Sequence, residues 1–261
     1  MSNNKINALL DEEHIKILFS IFKSKNIELR LVGGSIRDFL INREIRDIDS
    51  ATALEPNDVL ELLNENNIEY DDFAIRYGSI IAYPNNKKIQ ITSLREDINQ
   101  IGRHTSVLYT TDWKKDAARR DFTFNALYLD EDAKLYDYYN GQKDLQSKTI
   151  KFIGEIEDRI KEDYLRIYRY FRFLGLFDQP KIDEITLTFI EKYIHESLVV
   201  LTNDVIRQEV LKMFNMPFPL NCFFQSHIKY KWVEILKEHF IKTKYDLGLK
   251  KCLNRIDSIL N

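Results

Sequence analysis

Two cysteines, Cys222 and Cys252, are all that this chain of 261 residues contains. They are too few for a disulfide framework, and their spacing fits no zinc motif. No run approaches the ~20 apolar residues needed to span a bilayer. The opening residues, MSNNKINALLDEEHIK, lack the basic and apolar regions of a secretion signal. There is neither an internal repeat nor a low-complexity tract. Nor is there an excess of positive charge, since 38 Lys and Arg against 41 Asp and Glu leave a net −3. That balance excludes a basic footprint over the whole surface, so any contact with nucleic acid must come from local patches. Together these absences predict a reduced, cytoplasmic, soluble protein with no membrane partner.

What the chain does have is enough apolar residues for a core, 44% hydrophobic and 12% aromatic. Its charged residues, 30% of the total and mixed in sign, argue against disorder beyond the first few positions. Ile15, Leu18, Phe19 and Phe22 have the i, i+3, i+4, i+7 spacing of an amphipathic helix over 12–25. The pattern then predicts a strand at Ile27–Val32, a short helix at Ser35–Ile41 and a strand at Ile45–Ala51. A helix opened by Pro56 follows, carrying Val59, Leu60, Leu62 and Leu63. Ile80–Tyr83 and Lys88–Thr92 make a hairpin-like pair around Pro84-Asn85-Asn86. Beyond Gly141 strand signals fade, and helical patterns run over 156–176, 183–196, 203–214 and 230–241. The expected architecture is α+β, a mixed-sheet head over 1–140 followed by an all-helical region over 141–261.

Leu31–Thr52, LVGGSIRDFLINREIRDIDSAT, carries the most chemistry. It reads as a strand, a Gly33-Gly34 turn, a helix start at Ser35 with Arg37-Asp38 on its first turn, and a strand bearing Asp47 and Asp49. Paired glycines let backbone approach a phosphate, and a helix start offers N–H donors to an anion. Residues two apart on a strand point the same way. Asp47 and Asp49 would then present together the hard oxygen ligands that suit a Mg²⁺ carrying a triphosphate. Taken singly, a Gly-Gly is more often just a turn and an Asp-x-Asp a solvated strand end. Combined in this order, they suggest nucleotidyl transfer.

Two further segments bear on that chemistry. In ARRDFTFNAL, Arg119-Arg120-Asp121 reads as a helix end feeding a strand over Phe122–Tyr128. Its arginines could bind phosphates bidentately, and Asp121 and Asn125 could hydrogen-bond a ribose; a salt-bridged Arg–Asp pair at a helix terminus explains the same residues. In EDYLRIYRYFR, Asp163, Arg166, Arg169 and Arg172 recur every three residues, each turned about −60° from the last around a helix. An amphipathic helix with surface arginines fits that spacing equally well. Chemically, an Asp accepts from an exocyclic amine and an Arg donates to ring and carbonyl acceptors. Such a pair could choose cytosine and adenine over uracil and guanine. Local basic patches appear at Lys114-Lys115 with Arg119-Arg120, among the arginines of 159–172, and from Lys229 to Lys251.

GGSIRD followed by RDIDSAT resembles the head-domain signature of class II tRNA nucleotidyltransferases, the CCA-adding enzymes, and of the related bacterial poly(A) polymerases. These belong to the wider DNA polymerase β-like nucleotidyltransferases. RRDFT-x-NAL, the Glu-Asp-x-x-Arg run at 162–166, TSLREDINQIGRHTSVLYTTDWKKDAARRDF, YDYYNGQKDL and IGEIEDRIKEDYLR extend the resemblance. With LTNDVIRQEVLKMF it covers about residues 29–214, although Asp204-Val205 stands where the family usually has Glu-Arg.

The resemblance implies a nucleotidyltransferase head followed by an all-helical neck and a partial body. It implies Mg²⁺ held by Asp47 and Asp49, and nucleotide contacts from Gly33, Gly34, Arg37, Arg120, Asp121 and Asn125. Asp163 and Arg166 would serve as a protein template, with Arg169 and Arg172 toward nucleotide and RNA phosphate. CTP and ATP would be substrates and tRNA the partner. The implied activity is CCA addition; CC-only, A-only or poly(A) synthesis and a catalytically silent RNA-binding paralogue are the alternatives. A small-molecule nucleotidyltransferase would need no neck. Three departures stand out. Gln90 occupies a position where relatives commonly carry Glu. The chain stops soon after the neck, so a second copy or a partner protein could supply the missing tRNA-gripping surface. The loop Glu96–Ser106, with Thr105 after Arg103-His104, looks full-length, which favours addition of A as well as C.

Overall fold

The computed structural model describes residues 3–45, 47–101, 104–223, 232–242, 251–252 and 255. The chain divides into two units, one of Met1–Asn99 with Thr105–Leu145, the other of Gln100–His104 with Gln146–Asn261.

The first unit opens with α1 (Asn3–Leu10) and α2 (Glu13–Ser24). It continues through β1 (Leu29–Val32), α3 (Gly34–Leu40), β2 (Ile48–Thr52) and α4 (Pro56–Glu65). Next come β3 (Tyr70–Asp71), β4 (Ser79–Ala82), β5 (Ile89–Ser93), β6 (Arg95–Ile101) and β7 (His104–Tyr109). It closes with α5 (Trp113–Ala118), β8 (Leu127–Leu129), β9 (Leu135–Asp137) and α6 (Gly141–Gln146).

Seven strands form one sheet in the order β3-β4-β5-β2-β1-β8-β9. Every neighbouring pair is antiparallel except β2 with β5, so the sheet is mixed, as expected. A parallel pair needs a crossover, and α4 with β3 and β4 lies between β2 and β5 in the chain. β1 is buried at all four positions because it runs between β2 and β8. Ile15, Leu18, Phe19 and Phe22 of α2 are buried as their spacing predicts. Pro56, whose fixed φ suits a first helical turn, starts α4, which buries Val59, Leu62 and Leu63. The loop expected over Glu96–Ser106 is a two-stranded ribbon of β6 and β7; its Gly102 and Arg103 lie outside the described residues.

Two local expectations are corrected. Asp47 precedes β2 rather than lying on it, since the last residue of β1, Val32, pairs with Asp49, and the first of β5, Ile89, pairs with Ile48. Phe122–Tyr128 is not one strand: Thr123–Asn125 make a 3₁₀ turn, and pairing starts at Leu127. Here the Asp121 carboxylate accepts from the Phe122 N–H at 2.8 Å and the Asn125 amide at 2.9 Å. Such local side-chain bonds compete with a ladder.

The described part of the second unit is helical beyond α6: α7 (Ile156–Glu162), α8 (Leu165–Leu174), α9 (Glu184–Val200), α10 (Asn203–Phe214), α11 (Pro219–Phe223) and α12 (Trp232–Lys242). The single helix expected over 156–176 is thus two. Asp163 between them is extended, at φ −149° and ψ 102°, and its Oδ1 accepts from the Leu165 N–H at 3.0 Å. α8 buries Ile167, Tyr168, Phe171 and Leu174, and packs on α10 and α11. A Cβ on Gly175 would meet the Cys222 sulfur of α11 at 2.4 Å, so only glycine permits that approach. Both cysteines are free thiols. Of the lysine-rich end expected over Lys229–Lys251, residues 229–231 and 243–250 lie outside the described residues. Among the described residues no helix is long and apolar enough to cross a membrane.

Candidate active site

β1 ends in a turn at Gly33, whose φ of +77° is easy only for glycine. Its N–H donates to Leu127 O at 3.1 Å, tying the turn to β8. A Cβ here would lie 3.3 Å from Arg120 Nη1, and one on Gly34 3.5 Å from Arg37 Nη2. Both glycines therefore lie under guanidinium groups.

Arg37 is buried and held on two sides. Its Nε and Nη2 donate to the two Asp38 carboxylate oxygens at 2.9 Å each, and Nη1 donates to Asn125 Oδ1 at 2.7 Å. Asn125 passes the connection to Asp121 through its amide. Arg37, Asn125 and Asp121 thus form one buried chain beside the turn, although Asn125 is 88 residues from Arg37 in sequence.

Asp49 lies on β2 in register with Val32 on one side and Gln90 on the other. Burial pushes its carboxyl above the ordinary range; Arg120 pulls it down, the Asp47 charge pushes it further up, and Lys88 and Arg37 pull it down again. Asp47, although off the strand and exposed, is therefore within electrostatic reach of Asp49. Two neighbouring carboxylates, with a neutral amide across the ladder from Asp49, form an oxygen donor set that a hard divalent cation fits. Among the described residues no group of three or more His, Cys, Asp or Glu side chains gathers to hold a metal ion, so the candidate donors are these two carboxylates alone.

Arg120 follows α5. Its Nε donates to Tyr128 Oη at 3.2 Å, Nη2 to Asp116 Oδ2 at 3.2 Å, and Nη1 to Asn125 O at 3.5 Å. The ion pair expected between this arginine pair and an aspartate exists, but the partner is Asp116, which Arg119 also engages at 2.8 Å. Asp116 and Tyr128 were not legible as site residues. The available signal is the placement of Asp116 four positions before Arg120, one helical turn away.

The remaining expected residues belong to the second unit. Asp163 is half-buried at the break before α8. Arg166 is buried, and its Nη1 donates to Arg159 O at 2.8 Å and Glu162 Oε2 at 2.7 Å. Arg169 lies 5.5 Å from the Phe173 ring centre. Arg172 donates through Nε to the buried Glu209 of α10 at 2.7 Å and stacks on Phe173 at 4.2 Å.

A mixed sheet whose second strand in chain order carries Asp49, with Asp47 just before it, beside a glycine turn has the fold of a nucleotidyltransferase head. Residues 29–151 match the family described as the Poly A polymerase head domain. Human mitochondrial CCA tRNA nucleotidyltransferase 1 is 43% identical over 170 residues, 64% of this chain and 39% of that protein. The CCA-adding enzyme of Listeria innocua is 32% identical over 225 residues, 85% of this chain and 50% of its own length. The chain thus spans half or less of these relatives. The Bacillus stearothermophilus CCA-adding enzyme in complex with CTP aligns with a TM-score of 0.72 at 25% identity, over 85% of this chain and 51% of that one. The Thermotoga maritima CCA-adding enzyme complexed with tRNA shares the fold, with a TM-score of 0.70 at 22% identity over 90% and 55% of the two chains.

Proposed function

We propose that this chain transfers nucleotides from CTP and ATP to the 3′ end of tRNA, adding or repairing CCA with Mg²⁺ as cofactor. The observation that carries the reading is the pairing of Asp47 and Asp49 beside the Gly33 turn, within the fields of Arg37 and Arg120. Bound Mg²⁺ would lower the pKa of the terminal hydroxyl and stabilise the departing pyrophosphate.

The chain's own residues supply positioning and charge. Asp47 and Asp49 hold the metal-bound triphosphate, Gly33 and Gly34 keep side chains out of its way, and Arg37 and Arg120 neutralise phosphate. Asp121 and Asn125 orient the ribose. Asp163 accepts from the exocyclic amine of C or A while Arg166 donates to the neighbouring acceptor, so UTP and GTP are refused. Arg169 and Arg172 assist at nucleotide or RNA phosphate. The free thiols suit a reducing compartment such as the cytoplasm.

The test is to incubate the protein with Mg²⁺ and tRNAs ending before C, CC and CCA, giving each nucleoside triphosphate alone and CTP with ATP. Addition of C, C and A that then stops is the expected result. C alone, A alone or a long A tail would replace it with the corresponding partial activity. Retained tRNA binding by folded protein without any incorporation would make the chain a silent RNA-binding paralogue.

A further inference from the structure

Asp116 is the most deeply buried acid of the first unit, with 0% of its surface exposed, yet it stays ionised. Burial alone would raise its pKa, but Arg120, Arg119 and the Tyr128 hydroxyl bring it down to about 2. A buried charge persists only when its partners satisfy it, and the two oxygens of Asp116 divide that work. Oδ1 takes the Arg119 Nε at 2.9 Å and the Arg95 N–H at 3.4 Å. Oδ2 takes the Tyr128 hydroxyl at 2.7 Å and Arg120 Nη2 at 3.2 Å. One oxygen therefore faces the scaffold and the other faces the candidate site.

Tyr128 closes the arrangement. It donates to Asp116 and accepts from Arg120 Nε at 3.2 Å, so the guanidinium is gripped on two edges at once. Tyr128 lies on β8 in register with Val32, the residue just before the Gly33 turn. The sheet thus sets the distance between the grip on Arg120 and the turn that Arg120 overlies.

We propose that Asp116 and Tyr128 are positioning residues: they lock Arg120 over the Gly33 turn in the pose that meets the triphosphate. This rests on reading Arg120 as a phosphate contact. An arginine carries long, rotamer-rich geometry whose ordering opposes binding. A guanidinium already held in place avoids most of that loss when nucleotide arrives.

Tyr128→Phe is the clean probe, because it keeps the ring and its edge packing on Trp113, 5.5 Å away, while removing the hydroxyl. Dissociation constants for Mg-CTP and for CMP are measured without RNA on the wild type, Tyr128→Phe, Arg120→Ala and the double variant, with melting curves to certify folding. Tyr128→Phe should weaken CTP binding about 3–10-fold, the net worth of one intramolecular hydrogen bond, and leave CMP nearly unchanged. Arg120→Ala should weaken CTP more, and the double variant no further, since the hydroxyl would act only through Arg120. Unchanged CTP affinity in Tyr128→Phe, or losses that add in the double variant, would overturn the positioning role. Normal CTP affinity in Arg120→Ala would instead overturn the reading of Arg120, and the inference with it.

Discussion

Gln90 faces Asp49 across the one parallel pair of the sheet, and its amide cannot serve as a carboxylate base. Gln90→Glu should place a third carboxylate at the candidate metal site and lower the half-saturating Mg²⁺ concentration several-fold; an unchanged titration would remove Gln90 from that site. Asp49 itself makes a pH prediction. Its folded-state pKa is raised, by burial first, so the folded protein binds more protons than the unfolded chain between the ordinary and the raised value. Stability contributed by this residue therefore falls as pH rises through that window. Asp49→Asn should melt at a higher temperature than wild type at pH 7 without metal, while incorporation drops to background. A lower melting point would contradict the burial argument, and retained turnover would remove Asp49 from the metal. Incorporation by the wild type should also decline on the acid side at a pH above the usual aspartate value of about 3.9. At this scale the residues of the candidate site were largely legible, because glycine turns and acid pairs announce themselves in short motifs. Asp116 and Tyr128 were not: the four-residue spacing of Asp116 and Arg120 is common in any helix, and burial and a partner strand's tyrosine leave no local signature.

The break between α7 and α8 comes from Asp163, whose carboxylate caps the second helix. Periodicity of three residues from Asp163 to Arg172 reads as one continuous helix, since nothing in spacing alone distinguishes a helical Asp from a capping one. Asp163→Ala should cost roughly 0.5–2 kcal/mol from the lost cap and admit UTP and GTP. Asp163→Asn separates the two effects, because Asn caps nearly as well as Asp but presents an amine beside its oxygen. It should keep the melting point within about 0.5 kcal/mol of wild type and still lose base selectivity; intact selectivity in both variants would end the template role. The other element-scale surprise joins α8 to α10. Burial raises the Glu209 carboxyl, but Arg172 and Lys212 outweigh it and hold the pKa below the ordinary range, so this pair stabilises the fold above that range and fails as acid protonates it. Glu209→Gln would leave Arg172 facing a neutral partner and should destabilise the protein by ~3 kcal/mol, read by denaturant unfolding. The 37-residue separation of the two partners hid this contact. By contrast, β1, β2, β4 and β5 followed from alternation and turn residues, whereas β3, β6, β7 and β9 left no such pattern.

Across the described residues, much of the basic charge at 115–120 and 159–172 is paired with acids of the chain itself. Lys115 pairs with Glu96 at 2.9 Å, Arg119 and Arg120 with Asp116, and Arg166 with Glu162 at 2.7 Å. Glu162 also takes Arg159, and Glu209 takes both Arg172 and Lys212. A net charge of −3 made some such pairing inevitable, but the choice of partner depends on which strands and helices become neighbours. The consequence is a shallow electrostatic contribution to RNA binding by this chain alone. Each phosphate neutralised adds about 0.7–0.9 to the slope of log affinity against log salt. With these cations already paired, titration of tRNA binding between 50 and 200 mM salt should give a slope of magnitude about 3 or less. A slope beyond about 5 would require contacts from cations outside these pairs, and would direct attention to the lysines of 229–251.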